Sequence, residues 1–424
     1  MKKTLLSFFT LTLMILTAFS CASTSSTTQA AAERTEKLWL DDSVPSLYET
    51  YAQYLDYFGL VAAYESSSPK GLLKNETQLG LVKHVNSISM ENEFKPQFIF
   101  QWWGKKPSVT GTYTASNGIT IKTPSLRFNN VDGTLSILKK TGLKARGHVL
   151  VWHSQTDDAF FYEDYDTSKK LVDAATMTAR EEWYIQTVLN HVQEWEEKNN
   201  KGQHVIWCWD VVNEAVEENA MTLRAGSKWY EVYKNYDFIV NAFKFANKYA
   251  PADVLLGYND YGVTNGAKRK GMLKVLDNVI AATNDADMPA RIDFMGMQSH
   301  ISCDTNLFEY QNAIQDFAAK GLDVQVTELD MAINRATSDE AIAKSYQALF
   351  KIILDNRKTE QKPGITAVTL WGINSESSWL NTADQKRWHN NVDQKPLLFK
   401  LLANSIVTNP SFDAVITAAQ NYQQ

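Results

Sequence analysis

The sequence predicts an α/β fold, a closed (β/α)8 barrel of the TIM type. Three observations carry this expectation. From about residue 45 onward, eight short apolar runs alternate with stretches whose apolar residues recur every three to four positions. Polar and aromatic side chains collect at the C-terminal end of seven of those runs, where barrel enzymes build their sites. Two runs close on glutamates, Glu214 and Glu328, so far apart in the chain that only a fold curling back on itself can unite them.

The elements follow in order. Run 57–64 opens the barrel, and run 84–91 delivers Glu91 and Asn92 to its end. Run 144–153 carries His148 inside and finishes on Trp152-His153. A helix over 181–198 leads into run 204–213, mostly apolar up to Asn213 and Glu214. A helix over 236–250 precedes run 253–260, which ends in Asn259-Asp260-Tyr261. A helix over 267–281 precedes run 292–300, with Gln298 and His300 at its end. A helix over 307–319 precedes run 322–329, which presents Glu328, and a helix over 339–356 precedes run 365–374, which carries Trp371. Near-continuous apolar strands joined by helices call for a parallel sheet covered on its outer face, built from right-handed crossovers. An open doubly wound sheet is the rival, but no Gly-rich phosphate loop follows the first strand.

One segment, about 97–126, breaks the spacing. Asn117-Gly118 between β-rich residues predicts a hairpin. It reads as an excursion from the loop after the second strand, on the same face as the site.

Composition sets the outer limits. The chain has 424 residues, 44% of them hydrophobic, enough for one large core or two ordinary ones. The net charge of −6, with no basic block, argues against a nucleic-acid or anionic-membrane partner. Lys2-Lys3, an apolar run over 5–19 and the small residues Ser20-Cys21-Ala22 read as a signal peptide over 1–21. Cys21 stands where a bacterial lipoprotein would carry its lipid. Residues 22–44 form a Ser/Thr/Ala-rich tether ahead of a catalytic domain over 45–424. The expected location is therefore extracytoplasmic, either secreted or tethered to the cell surface, with the membrane touched only through that anchor. Cys208 and Cys303 remain, as buried thiols or one disulfide, and no cysteine spacing suits a metal. Neither a His-Glu-x-x-His pair nor a Gly-x-Ser-x-Gly elbow is present.

The chemistry follows from the two glutamates. Cleaving an acetal needs an acid at the leaving oxygen and help for the positive charge forming at C1, which a close carboxyl pair supplies without cofactor or metal. Twelve Trp add indole faces on which the apolar faces of sugars can stack. Trp102 and Trp103, in the excursion, form either its small core or an extra sugar platform.

The motifs also resemble a known family. Gly321-Leu-Asp-Val-Gln-Val-Thr-Glu328-Leu-Asp330-Met331 is similar to the nucleophile signature of glycoside hydrolase family 10, the endo-1,4-β-xylanases. Glu91-Asn92-Glu93-Phe94-Lys95-Pro96, Arg146-Gly-His148-Val-Leu-Val-Trp152-His153-Ser-Gln155, Trp209-Asp-Val-Val-Asn213-Glu214, Tyr258-Asn-Asp-Tyr261, Gln298-Ser-His300 and Trp371-Gly-Ile follow in the family's order. The resemblance covers roughly residues 45 to 405. It implies the same barrel, with Glu214 as acid/base and Glu328 as nucleophile of a retaining reaction. It implies that Asn213 bonds the sugar 2-hydroxyl and that His300 and Asp330 orient Glu328. Glu91, Asn92, Lys95, His153, Gln298, Trp371 and Trp379 would line the glycone subsites. The implied partner is xylan or a xylo-oligosaccharide, met by a monomer. Two departures bear on subsite number: the excursion is longer than the family's, and the chain after Trp379 is shorter. A β-1,4-glucan glycosidase and a non-catalytic glycan receptor are the alternatives.

Overall fold

The computed structural model describes residues 44–63, 79–402 and 405–422. The expected signal segment with Cys21, nearly all of the tether, and Tyr64 of the first run lie outside the described residues. The strands are β1 Tyr57–Ala62, β2 Ser87–Met90, β3 Val109–Thr114, β4 Thr120–Pro124, β5 Lys144–Trp152, β6 Ile206–Asn213, β7 Leu255–Asp260, β8 Phe294–Met297, β9 His300–Ser302, β10 Asp323–Ala332, β11 Ile365–Leu370, β12 Phe399–Leu402 and β13 Ser405–Thr408. Eight of them, β1-β2-β5-β6-β7-β8-β10-β11, pair in parallel, and β11 pairs back onto β1 with Tyr57 opposite Ala367 and Leu60 opposite Leu370. The sheet is therefore a closed barrel.

The outer helices Asp237–Tyr249, Gly266–Ala281, Leu307–Ala318 and Asp339–Asp355 agree with the spacing of apolar residues to within a residue at each end. The helix Ala174–Asn200 begins earlier than its periodicity indicates. Asp173 caps it, accepting from Thr176 N at 2.7 Å, a signal carried by one residue and not by a pattern.

Three expectations need correction. The second run begins as a strand only at Ser87, because Leu79–His84 forms a 3-10 helix. The sixth run divides into β8 and β9, since Ser299 turns the chain with φ +65° and its hydroxyl bonds Met297 O and Tyr310 Oη. The hairpin β3–β4 forms as expected, but it lies along the flank of the barrel and not over the strand ends. Its tip is fastened there by Ser116, whose N and Oγ donate to Glu182 at 2.7 and 2.5 Å, and by Asn117 Nδ2, which donates to Ala175 O at 2.9 Å.

Side chains fill the barrel interior, and one layer of them is charged. Arg146, fully buried, donates to both Asp210 and Gln325, and His148 Nδ1 lies 2.9 Å from Asp210 Oδ2. Arg146 and His148 are two apart on β5, so the pleat turns both inward. Gly147 between them is required on the opposite face, where a Cβ would come within 2.2 Å of the Trp209 ring. Among the described residues the thiols Cys208 and Cys303 form no disulfide.

Outside the barrel, Glu181 is wholly buried with Tyr233 Oη as a donor at 3.0 Å and, among the described residues, no partner for its second oxygen. Burial raises its pKa well above the ordinary value, only partly opposed by that hydrogen bond. A carboxyl raised in the folded state contributes stability below its unfolded pKa and loses it as pH rises. Glu181→Gln is therefore expected to raise the melting temperature, and to raise it more at pH 8 than at pH 4.5. An equal shift at both pH values would contradict a buried neutral carboxyl.

Candidate active site

The strand ends converge as their parallel register requires. Glu214 follows β6 directly, with φ +55°, and that left-handed turn swings its carboxyl out of line with the strand. Glu214 Oε2 accepts from Trp152 Nε1 at 3.1 Å, and Oε1 accepts from Gln298 Nε2 at 2.9 Å and Asn213 Nδ2 at 3.2 Å. Asn213 Oδ1 accepts in turn from Gln298 Nε2 at 3.2 Å and Asn259 Nδ2 at 2.9 Å. Asn259 Nδ2 also donates to Glu328 Oε1 at 2.8 Å, and its own oxygen is fixed by Thr327 Oγ1 at 2.6 Å. Side chains from β6, β7, β10 and the end of β8 thus link the two carboxyls through one short amide network.

Glu328 is nearly enclosed, and its other oxygen faces His300 Nε2 at 3.2 Å. His300 Nδ1 lies 3.0 Å from Asp330 Oδ1, and Asp330 Oδ2 accepts from Trp379 Nε1 at 2.6 Å. Burial works against a charge on His300, but Asp330 and Glu328 outweigh it and push its pKa up to about 10. Burial would raise Glu328, yet the His300 hydrogen bond, the electrostatic influence of His148 and His300 and the Asn259 amide hold its pKa below the ordinary value. The imidazolium is thus a fixed cation beside an ionised carboxylate.

The opposite wall is built by the loops after β2 and β5. Lys95 is buried and donates to Gln155 Oε1 at 2.9 Å and Asn92 Oδ1 at 3.4 Å, while Gln155 Nε2 donates to Asn92 Oδ1 at 3.3 Å. Burial lowers the Lys95 pKa, against the pull of Glu328, Glu91 and Glu214. The open cleft between these walls holds about 320 Å³ and is bordered by Trp152, Tyr261, Trp371 and Trp379 together with both carboxyls. His153 stands at the end of β5 with Nδ1 buried and without a hydrogen-bond partner among the described residues. Burial, together with the nearby Arg224 and Lys268 charges, lowers its pKa to about 4 and keeps the ring neutral.

The cleft thus gathers Lys95, Asn213, Glu214, Gln298, His300, Glu328, Trp371 and Trp379, with Asn92 and Asp330 bonded to its lining. Of the two readings open for Trp102, core or sugar platform, its packing supports the core. It is 5% exposed, stacks on Phe100 at 4.4 Å and donates Nε1 to Ser125 O at 3.2 Å, so it belongs to the core and offers no free face to a sugar. Trp103 is 54% exposed. Trp152, Gln155, Asn259 and Tyr261 join the site beyond the residues expected there, although each stands at or just beyond a polar or aromatic strand end.

A closed parallel barrel with two carboxyls joined through one amide network at its C-terminal strand ends, and with indoles along the cleft, has the architecture of the barrel glycoside hydrolases. The chain belongs to glycosyl hydrolase family 10, whose sequence model matches residues 46–417. It is 38% identical over 305 residues to endo-1,4-beta-xylanase B of Butyrivibrio fibrisolvens, a match covering 71% of this chain and 44% of that protein. It is 30% identical over 371 residues to endo-1,4-beta-xylanase Y of Acetivibrio thermocellus, covering 83% of this chain and 32% of the other. The chain thus spans less than half the length of these two relatives. The intracellular xylanase TsXylA of Thermoanaerobacterium saccharolyticum, solved with xylotetraose, superposes with a TM-score of 0.67 at 29% identity, covering 88% of this chain and 99% of that one.

Proposed function

We propose that this chain is a retaining endo-1,4-β-xylanase acting on internal bonds of xylan. The observation that carries the reading is the Asn213–Asn259–Gln298 network, which holds Glu214 and Glu328 in one frame. Glu328, ionised beside a charged His300, attacks C1 and forms the glycosyl–enzyme ester. Glu214 protonates the leaving oxygen and then takes a proton from the incoming water. Asn213 meets the sugar 2-hydroxyl, a contact that strengthens toward the transition state. His300 and Asp330 orient the nucleophile. Glu91, Asn92, Lys95, His153 and Gln298 bind the glycone. Trp371 and Trp379 form its apolar walls, and Trp103 serves as an outlying platform. The substrate is met by a monomer.

The N-terminal pattern supports export, with residues 1–21 as the signal and lipidation at Cys21 tethering the enzyme to the cell surface.

Hydrolysis of plain xylan against carboxymethyl-cellulose tests the substrate class. Xylan cleavage alone supports the proposal, cellulose cleavage alone moves the chain to the glucanase reading, and tight glycan binding without turnover on either would make it a receptor. Trp379 carries the discrimination. Its Nε1 is tied to Asp330, which orients the indole, and an indole beside the innermost sugar would crowd a C6 hydroxymethyl group. Trp379→Ala is expected to raise glucan hydrolysis relative to xylan hydrolysis by about tenfold, the reach of one apolar group in a pocket. An unchanged ratio would remove the steric account.

A further inference from the structure

Trp388 is 81% exposed, the highest exposure of any large apolar side chain among the described residues. It ends the short helix Ala383–Trp388, which begins just beyond the Trp379–Asn381 turn of the cleft. The same connection leaves β11 and carries Trp371 and Trp379, so Trp388 stands on the catalytic side of the barrel.

The residues that follow it are held by side-chain and backbone hydrogen bonds. His389 Nδ1 lies 2.9 Å from Asn334 Oδ1, and Asn390 Nδ2 donates to Asn334 O at 2.8 Å. Asn391 N closes the turn onto Lys386 O at 2.8 Å, and Lys386 Nζ bonds Asp393 at 2.5 Å. Asn334, in the connection after β10, also lines a depression of about 360 Å³ whose walls include Asp304, Arg335, Ser338 and Ser345. A solvent-facing indole is thus followed directly by two residues bonded to Asn334, on the rim of a depression rich in hydroxyl, amide and charged groups. A pyranose chain has matching needs, with apolar C–H faces for a ring and hydroxyl edges for donors and acceptors.

We infer that Trp388 is a stacking platform for a β-1,4-linked xylosyl chain, forming with the Asn334–Arg335 depression a secondary carbohydrate site outside the catalytic cleft. The inference rests on the xylan reading proposed above. Its function is to hold polymer near the cleft without taking part in bond cleavage, so its effect falls on long substrates only. The ring stacks and separates without covalent change.

The test compares Trp388→Ala with the native residue, each in a Glu328→Gln background that cannot turn over xylan, by retardation in native gels containing soluble xylan. Both residues are also assayed in the active enzyme on a short aryl xyloside that fills the cleft alone. Trp388→Ala should weaken retardation by about tenfold, the worth of partly covering one indole. It should leave kcat/KM on the short xyloside unchanged, and Trp388→Phe should restore part of the retardation. Equal retardation with and without the indole overturns the inference while leaving the xylanase reading intact. An equal loss on the short xyloside also overturns it, since the residue would then act through the cleft or the fold. If the Glu328→Gln protein with Trp388 in place is not retarded by xylan, and the active enzyme does not cleave it, the xylanase reading fails and carries this inference with it.

Discussion

Glu328→Ala is expected to lower hydrolysis of an activated xyloside by at least about 10⁴-fold, the scale on which removal of a covalent nucleophile acts. Added azide should restore part of the activity and give a product of inverted configuration, because the small anion enters the space left by the carboxylate. Turnover that falls by less than about tenfold would take the nucleophile's role from Glu328. Loss of activity with no azide rescue, in a protein that still folds, would argue for a different reaction course. Glu214→Ala should behave differently. Its loss should be large on xylan, whose leaving group needs a proton, and much smaller on an aryl xyloside with a good leaving group. The pair thus separates the two carboxyls by role. His300 bears on the pH profile. Its raised pKa stabilises the fold fully below about 6.5, and that contribution disappears only as pH passes about 10. An alkaline limb of the rate profile near neutrality would therefore arise from another group.

Asp210→Ala is expected to cost about 3–5 kcal/mol of stability, the penalty for leaving a buried charge without its partner. Asp210 accepts from Arg146 and lies 2.9 Å from His148 Nδ1, with all three side chains out of solvent. Burial works against its charge, but Arg146 and then His148 outweigh it and hold the Asp210 pKa below the ordinary value. A carboxyl lowered in this way stabilises the fold above its unfolded pKa and ceases to as pH falls. The penalty of Asp210→Ala should accordingly be largest near neutrality and shrink in acid. Urea denaturation measures it, and a loss below about 1 kcal/mol at pH 7 would mean that water or Gln325 satisfies Arg146 alone. Because His148 also borders the cleft, the same variant should slow catalysis.

Much of this site is readable from local pattern. A mostly apolar run buried on both faces signals a barrel strand, and its last residue stands on the catalytic side wherever the barrel closes. That reasoning reaches Glu214, Glu328, Gln298, His300 and Trp371 from strand ends alone. The helices are equally legible where one apolar stripe runs their length, as in Asp339–Asp355. The division of the sixth run is not, because Ser299 adopts a left-handed turn fixed by a hydroxyl bond to a distant tyrosine.

Neighbouring residues of one type mark the limit most sharply. Trp102 and Trp103 are alike to any pattern, yet one is packed on Phe100 and the other meets solvent. Asn259 reads as one more polar strand end, and only the assembled barrel makes its amide the bridge between Asn213 and Glu328. The hairpin was legible from Asn117-Gly118, but its seat on the flank was set by Glu182, reached through space. By itself the sequence determined the barrel, the face that carries chemistry and the two carboxyls, because periodicity and strand termination are properties of consecutive residues. The tertiary structure decided which side chains share a hydrogen bond, which indoles stay exposed and where the charge on His300 is held. Those outcomes depend on distances between strands and loops remote in sequence, and on the dielectric around them.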